Sequence, residues 1–128
     1  MVKKWSVNYP AVNGTEQRRV YVYLPTMYES EPDRRYPVLY MFDGQNVFFD
    51  EDATYGKSWG VADYLDYTDT PLIVAAVECN AGPNNERLVE YSRHPAGRSD
   101  AGGNPQGRLQ RSALQAADFR VMYTLCGN

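Results

Sequence analysis

The 128-residue sequence holds a single histidine, His94, and only three lysines, none of them after Lys57. One imidazole limits any histidine-based proton relay to one residue. His94 stands between Arg93 and Pro95, with no recognisable nucleophile or carboxylate partner beside it. The only cysteines, Cys79 and Cys126, lie far apart and without metal-ligand spacing, which argues against a zinc site and a disulfide-stapled scaffold. They read as reduced thiols of a reducing compartment. No apolar run approaches the ~18 residues that cross a bilayer. Met1-Val2-Lys3-Lys4 has no apolar stretch behind it, so no signal peptide is expected and the localisation reads as cytoplasmic. Basic charge is not in excess: 13 basic against 16 acidic side chains leave a net charge of −3. Neither nucleic acid nor an anionic membrane is therefore expected as a partner.

What is present suits one modest core. Hydrophobic residues make up 43% of the chain and aromatic residues 13%, with eleven tyrosines, too apolar for a disordered polymer. The composition shifts near Ser92. Residues 1–91 carry ten of the eleven tyrosines and fourteen acidic against eight basic side chains. Residues 92–128 carry Arg93, Arg98, Arg108, Arg111 and Arg120 against Asp100 and Asp118. Four glycines and two prolines between Ser92 and Gly107 exclude a helix or central strand there.

Within residues 1–91, Trp5, Val7 and Tyr9 alternate with polar residues, as do Val20, Val22 and Leu24. That period of two predicts half-buried strands. Asn13-Gly14 tolerates positive φ and predicts a tight turn between them; Asn13-Gly14-Thr15 as a glycosylation sequon has nothing else in its favour. Val38-Leu39-Tyr40-Met41-Phe42 and Leu72-Ile73-Val74-Ala75-Ala76-Val77 are continuously apolar and each follows a proline. Continuous apolarity over a strand's length predicts burial on both faces, as in the middle of a parallel sheet. Between them Trp59 to Tyr67 can form a helix, with Ser58 available as its cap, which completes a β-α-β crossover. The fold class is α/β.

Ligands of open α/β sheets sit beyond the carboxyl ends of the strands. Here those ends run into Asp43-Gly44-Gln45-Asn46 and Glu78-Cys79-Asn80-Ala81-Gly82. Asp43, Asn46, Glu78 and Asn80 are the candidate crevice side chains. Two other motifs fail. Gly56-Lys57-Ser58 lacks the first glycine of a phosphate loop, position 51 being Glu51. Asp50, Asp52 and Thr54 lack the central glycine and closing glutamate of a calcium loop, those positions being Tyr55 and Val61. No metal site and no cofactor are expected.

Arg19-Val20-Tyr21-Val22-Tyr23-Leu24-Pro25, followed by Tyr36-Pro37-Val38-Leu39-Tyr40-Met41-Phe42-Asp43-Gly44-Gln45-Asn46-Val47-Phe48, resembles the Putative esterase family of the α/β hydrolases, which includes enterochelin esterase-like and esterase D-like enzymes. Ser58-Trp59-Gly60-Val61, Glu86-Arg87 and Glu90-Tyr91-Ser92 recur there in the same order, so the resemblance covers about residues 15–92. It implies a serine hydrolase acting on small-molecule carboxylic esters through a Ser-His-acid triad. It also implies the N-terminal half of an α/β-hydrolase sheet: an antiparallel hairpin, then the crossover. In such enzymes one oxyanion donor comes from the loop after the third strand. That loop is Asp43-Gly44-Gln45, with the Gln45 N–H as the implied donor and Gly44 permitting close approach. A preorganised donor of this kind is worth about 3–4 kcal/mol.

The nucleophile does not follow. Gly56-Lys57-Ser58-Trp59-Gly60 matches Gly-x-Ser-x-Gly literally, but the elbow needs a strand before it, and Asp50-Glu51-Asp52-Ala53-Thr54-Tyr55 is an acidic loop. Ser58 is therefore read as a decoy, and no catalytic residue is assigned. After Ser92 the sequence departs from the family pattern where its composition changes. A truncated or frameshifted reading frame is one account of residues 92–128, and a divergent tail is the other. Leu109 to Leu125 has helical spacing and is a candidate C-terminal helix. The domain reading is 1–91 as the esterase-like part and 92–128 as a Gly/Pro/Arg-rich tail. Two functions stay open: an esterase-family fragment without its triad, or a non-catalytic α/β module binding a polar ligand or partner. An unfinished sheet would also favour self-association through its edges.

Overall fold

The computed structural model describes residues 1–11, 14–84 and 86–91. Strands β1 (Val2–Ala11), β2 (Gly14–Tyr23), β3 (Val38–Met41) and β4 (Ile73–Val77) form one mixed sheet in the order β1-β2-β4-β3. A 3₁₀ turn covers Gly44–Asn46, helix α1 Val61–Thr68 and helix α2 Glu86–Tyr91. The predicted Asn13-Gly14 turn, the sequon at Asn13 and the candidate helix 109–125 lie wholly or partly outside the described residues.

The described chain divides into two compact units. The first holds residues 1–7 and 18–79, and the second holds 8–17 together with the described residues from 80 onward. In the first unit β3 runs parallel to β4, with Leu39 opposite Val74 and Met41 opposite Ala76. The two strands with α1 between them form the expected β-α-β crossover. β2 lies antiparallel on the other side of β4, with Tyr21 opposite Ala76 and Tyr23 opposite Val74. Side chains facing each other across a pair share a sheet face. Tyr21, Tyr23, Val74 and Ala76 accordingly form one core with Val47, Phe48 and Leu65.

Three expectations are corrected here. The end of β2 is not half-buried: Val20, Tyr21, Val22 and Tyr23 are all buried. The period-two reading puts Tyr21 and Tyr23 at the polar positions, yet a tyrosine ring is a large apolar body with one polar tip. Each tip finds a carboxylate: the Tyr21 hydroxyl donates to Asp52 at 3.0 Å and the Tyr23 hydroxyl to Asp66 at 2.8 Å. Both rings can then enter the core with no polar atom left unsatisfied. Second, β3 is not buried on both faces. It ends the strand order among the described residues, and Leu39, Tyr40 and Phe42 are 45%, 42% and 55% exposed. Burial of a strand depends on what covers it, and its own composition cannot supply that cover. By contrast β4, with a strand on each side, is buried at all five positions.

Third, Ser58 does not cap α1. The helix begins at Val61, behind Gly60 in the left-handed region at φ 66, with no side-chain cap. The Ser58 hydroxyl instead donates to Asp50 at 2.8 Å. The N-cap position falls on Gly60, so Ser58 stands two residues too early for its oxygen to accept a first-turn helix N–H.

Candidate active-site loop

The turn after β3 follows from three adjacent residues. Asp43 takes a left-handed conformation (φ 55, ψ 43), which the short polar side chain of Asp tolerates better than most. Its carbonyl accepts the Asn46 N–H at 2.8 Å, closing the turn. Gly44 comes next, pressed against β4: a Cβ there would lie 2.8 Å from the Val77 carbonyl carbon and 3.0 Å from the Tyr21 ring. Only glycine permits that approach without displacing backbone.

Gln45 is buried, and its carboxamide faces inward. Its Oε1 accepts the Cys79 N–H at 3.1 Å, and its Nε2 donates to Cys79 Sγ at 3.1 Å. Asn46 organises the following loop. Its Oδ1 accepts the Thr54 N–H at 2.9 Å, and its carbonyl accepts the Trp59 N–H at 2.8 Å. The neighbouring Val47 carbonyl accepts the Val61 N–H at the start of α1. Asp43-Gly44-Gln45-Asn46 thus ties β3 to β4 and shapes the segment leading to the helix. Among the described residues, neither the Gly44 nor the Gln45 backbone N–H donates to a backbone carbonyl.

Beside this turn lies a charged cluster that sequence reading did not assemble. Arg19, on β2, donates to Glu78 through its backbone N–H (3.0 Å), Nε (3.1 Å) and Nη2 (2.6 Å), and to Asp52 through Nη1 (2.5 Å). Lys4 reaches Asp52 at 2.9 Å. Burial pushes the Glu78 and Asp52 carboxyls up. The Arg19 bonds outweigh this at Glu78, and Lys4, Tyr21 and Arg19 together outweigh it at Asp52, so both carboxyls titrate below their ordinary values. Burial, reinforced by the bond to Asp52, pushes the Tyr21 phenol far above its usual range. No motif signals this cluster, because its members lie on β1, β2, an acidic loop and the end of β4. The antiparallel β2–β4 pairing is what brings Arg19 beside Glu78.

The predicted residues separate as follows. Asp43, Gly44, Gln45, Asn46 and Glu78 belong to the first compact unit and Asn80 to the second. Asn46 and Glu78 spend their side chains on the contacts just described. Within the second unit Asn80 donates to Glu90 at 2.9 Å and accepts the Gly82 N–H at 2.9 Å. Ser58 sits with Asp50, whose carboxyl is lowered to about 2 by the Ser58 backbone N–H first, then by the Ser58 hydroxyl and Lys57. His94 and Cys126 lie outside the described residues. Among the described residues no helix is long and apolar enough to cross a membrane, and no group of three or more His, Cys, Asp or Glu could hold a metal ion.

With this geometry in place, the comparisons add one match. A family model described as "Putative esterase" matches residues 13–104. A search of curated proteins finds no match.

Proposed function

The chain belongs to that esterase family, and from this membership we propose that it carries the oxyanion-loop part of a serine carboxylic-ester hydrolase, with Gly44 and Gln45 as the oxyanion element. The observation that carries the proposal is the turn at Asp43-Gly44-Gln45-Asn46: it follows a β-strand, packs without a Cβ against the adjacent parallel strand, and leaves the Gln45 N–H without a backbone acceptor among the described residues. A tetrahedral intermediate needs such a donor already aimed, because reorganisation at the moment of reaction would cancel the benefit.

In this reading residues 1–91 form the first part of an α/β-hydrolase sheet, and the described residues, which hold no histidine, contain no Ser-His-acid triad. Acyl transfer needs a nucleophile with a base in hydrogen-bond reach, and that base needs a partner to orient it. The Ser58 hydroxyl donates to a carboxylate held strongly ionised, an arrangement with no group that stores and returns the proton. The chain by itself therefore should not turn over esters by the family mechanism. The alternative, a polar-ligand module, would use the side chains of Asp43, Gln45, Glu78 and Asn80. The engagement of Gln45, Glu78 and Asn80 in internal hydrogen bonds favours the oxyanion reading.

A serine-directed fluorophosphonate probe tests the assignment. No labelling of the chain is expected; labelling that disappears in Ser58→Ala overturns it. Sequencing the coding DNA from codon 85 in all three frames tests the account of residues 92–128. The disrupted-gene account expects a Gly-x-Ser-x-Gly elbow with downstream Asp and His in another frame, and the absence of any such frame refutes that account.

A further inference from the structure

The geometry points to a positioning role for the Gln45 carboxamide: it acts as a strut, anchored on Cys79, that fixes the turn carrying its own backbone N–H. The inference rests on the oxyanion reading and assigns to two side chains a task that reading leaves open.

A glutamine in a strand-end loop normally keeps its amide in water. Gln45 is only 6% exposed, so each polar atom it buries needs a partner. Both ends of the carboxamide meet one residue. Oε1 accepts the Cys79 N–H and Nε2 donates to Cys79 Sγ, each at 3.1 Å, with Thr54 Oγ1 at 3.5 Å as a marginal third contact. Two bonds to a single residue resist rotation of the amide plane, which one bond would not. Cys79 lies two residues beyond the end of β4, a strand buried at every position. The strut therefore ends on a rigid support.

Gly44, the preceding residue, is seated on the same strand at Val77. The turn is thus held at two consecutive residues, once by close approach and once by the strut. The Gln45 N–H makes no backbone bond of its own among the described residues, so its direction is set by these two restraints. The contacts are unequal. A thiol is a weak acceptor, whereas the Cys79 N–H to Oε1 bond joins strong groups. The Oε1 end is assigned the greater part of the restraint.

The test is amide NMR on the ¹⁵N-labelled full chain, comparing wild type with Gln45→Met, Gln45→Asn and Cys79→Ala. In Gln45→Met, which keeps the length and removes both bonds, the residue-79 amide should exchange about tenfold faster, as expected for one lost hydrogen bond. The backbone signal of position 45 should broaden or double, while Val22 and Ala75 keep their protection. Gln45→Asn retains the amide but not the reach and should show the same signature; it carries the test if Gln45→Met does not fold. Cys79→Ala, which removes only the thiol, should keep a sharp signal at position 45. Unchanged exchange at residue 79 with a sharp position-45 signal in both Gln45 variants overturns the strut. Faster exchange shared equally by Val22 and Ala75 also overturns it, since that marks general destabilisation. Titration of wild type with phenylphosphonate examines the underlying reading separately. A strut signature with no shift of the Gln45 N–H refutes the oxyanion role and upholds the strut.

Discussion

Gly44→Ala is the sharpest perturbation this fold offers, because its cost can be worked from contacts. A Cβ at position 44 would sit 2.8 Å from the Val77 carbonyl carbon, 3.0 Å from the Val77 nitrogen and 3.0 Å from Tyr21 Cδ2. Two of those three atoms are backbone of β4, where Val77 is registered against Val20, so they cannot swing aside. The third belongs to a fully buried ring. The new methyl must therefore move the turn away from the strand. Overpacking of this kind costs about 1–3 kcal/mol. The gain from stiffening the unfolded chain, about 0.4–1 kcal/mol, opposes it. The net expectation is a loss of about 1.3 kcal/mol, or about 5–10 °C in Tm for a domain of this size. Chemical denaturation and thermal melting measure it. Gly56→Ala is the control: its Cβ meets nothing within 4 Å, and its cost arises from φ +74 alone. Hydrogen exchange separates the two, since Gly44→Ala should loosen the Asn46 and Val47 amides and Gly56→Ala should not. A Gly44→Ala chain that melts at or above the wild-type temperature would refute the packing of this turn on β4.

Two further outcomes are expected. Tyr21→Phe removes the donor to Asp52 and should cost about 0.5–1.5 kcal/mol in urea unfolding at neutral pH; an equally stable variant would show that the buried phenol has no stabilising partner. For acid, the folded Glu78 and Asp52 carboxyls titrate below their ordinary values of 4.5 and 3.8, so their contribution is complete above those values and is lost as pH falls through the lowered folded ones. Arg19→Met should flatten that acid loss in urea midpoints between pH 6 and 3 (on the order of 1 kcal/mol, Arg19 being partly exposed). An unchanged acid slope in that variant would remove Arg19 as the cause.

Local patterns in the chain were sufficient for several elements. The apolar runs after Pro37 and Pro71 mark β3 and β4, and the segment between them is helical because Val61, Leu65 and their neighbours recur at a helix period. Asp43-Gly44-Gln45-Asn46 was legible as a strand-end turn, and the family resemblance pointed to it as an oxyanion element. These features depend on neighbours a few residues apart, and such information is local. Tertiary structure alone decided the rest. It inserted β2 between β1 and β4, which buried both faces of Val20–Tyr23 and set Arg19 beside Glu78 across a separation of fifty-nine residues. It left β3 with exposed apolar side chains despite its composition, because cover is a property of neighbouring elements. It also turned the Gln45 side chain inward onto Cys79, and no sequence pattern encodes that, since the partner is chosen by the packing of the turn on β4. Period and composition state what a segment can bury; which segment lies against it is settled only when strands from distant parts of the chain pair.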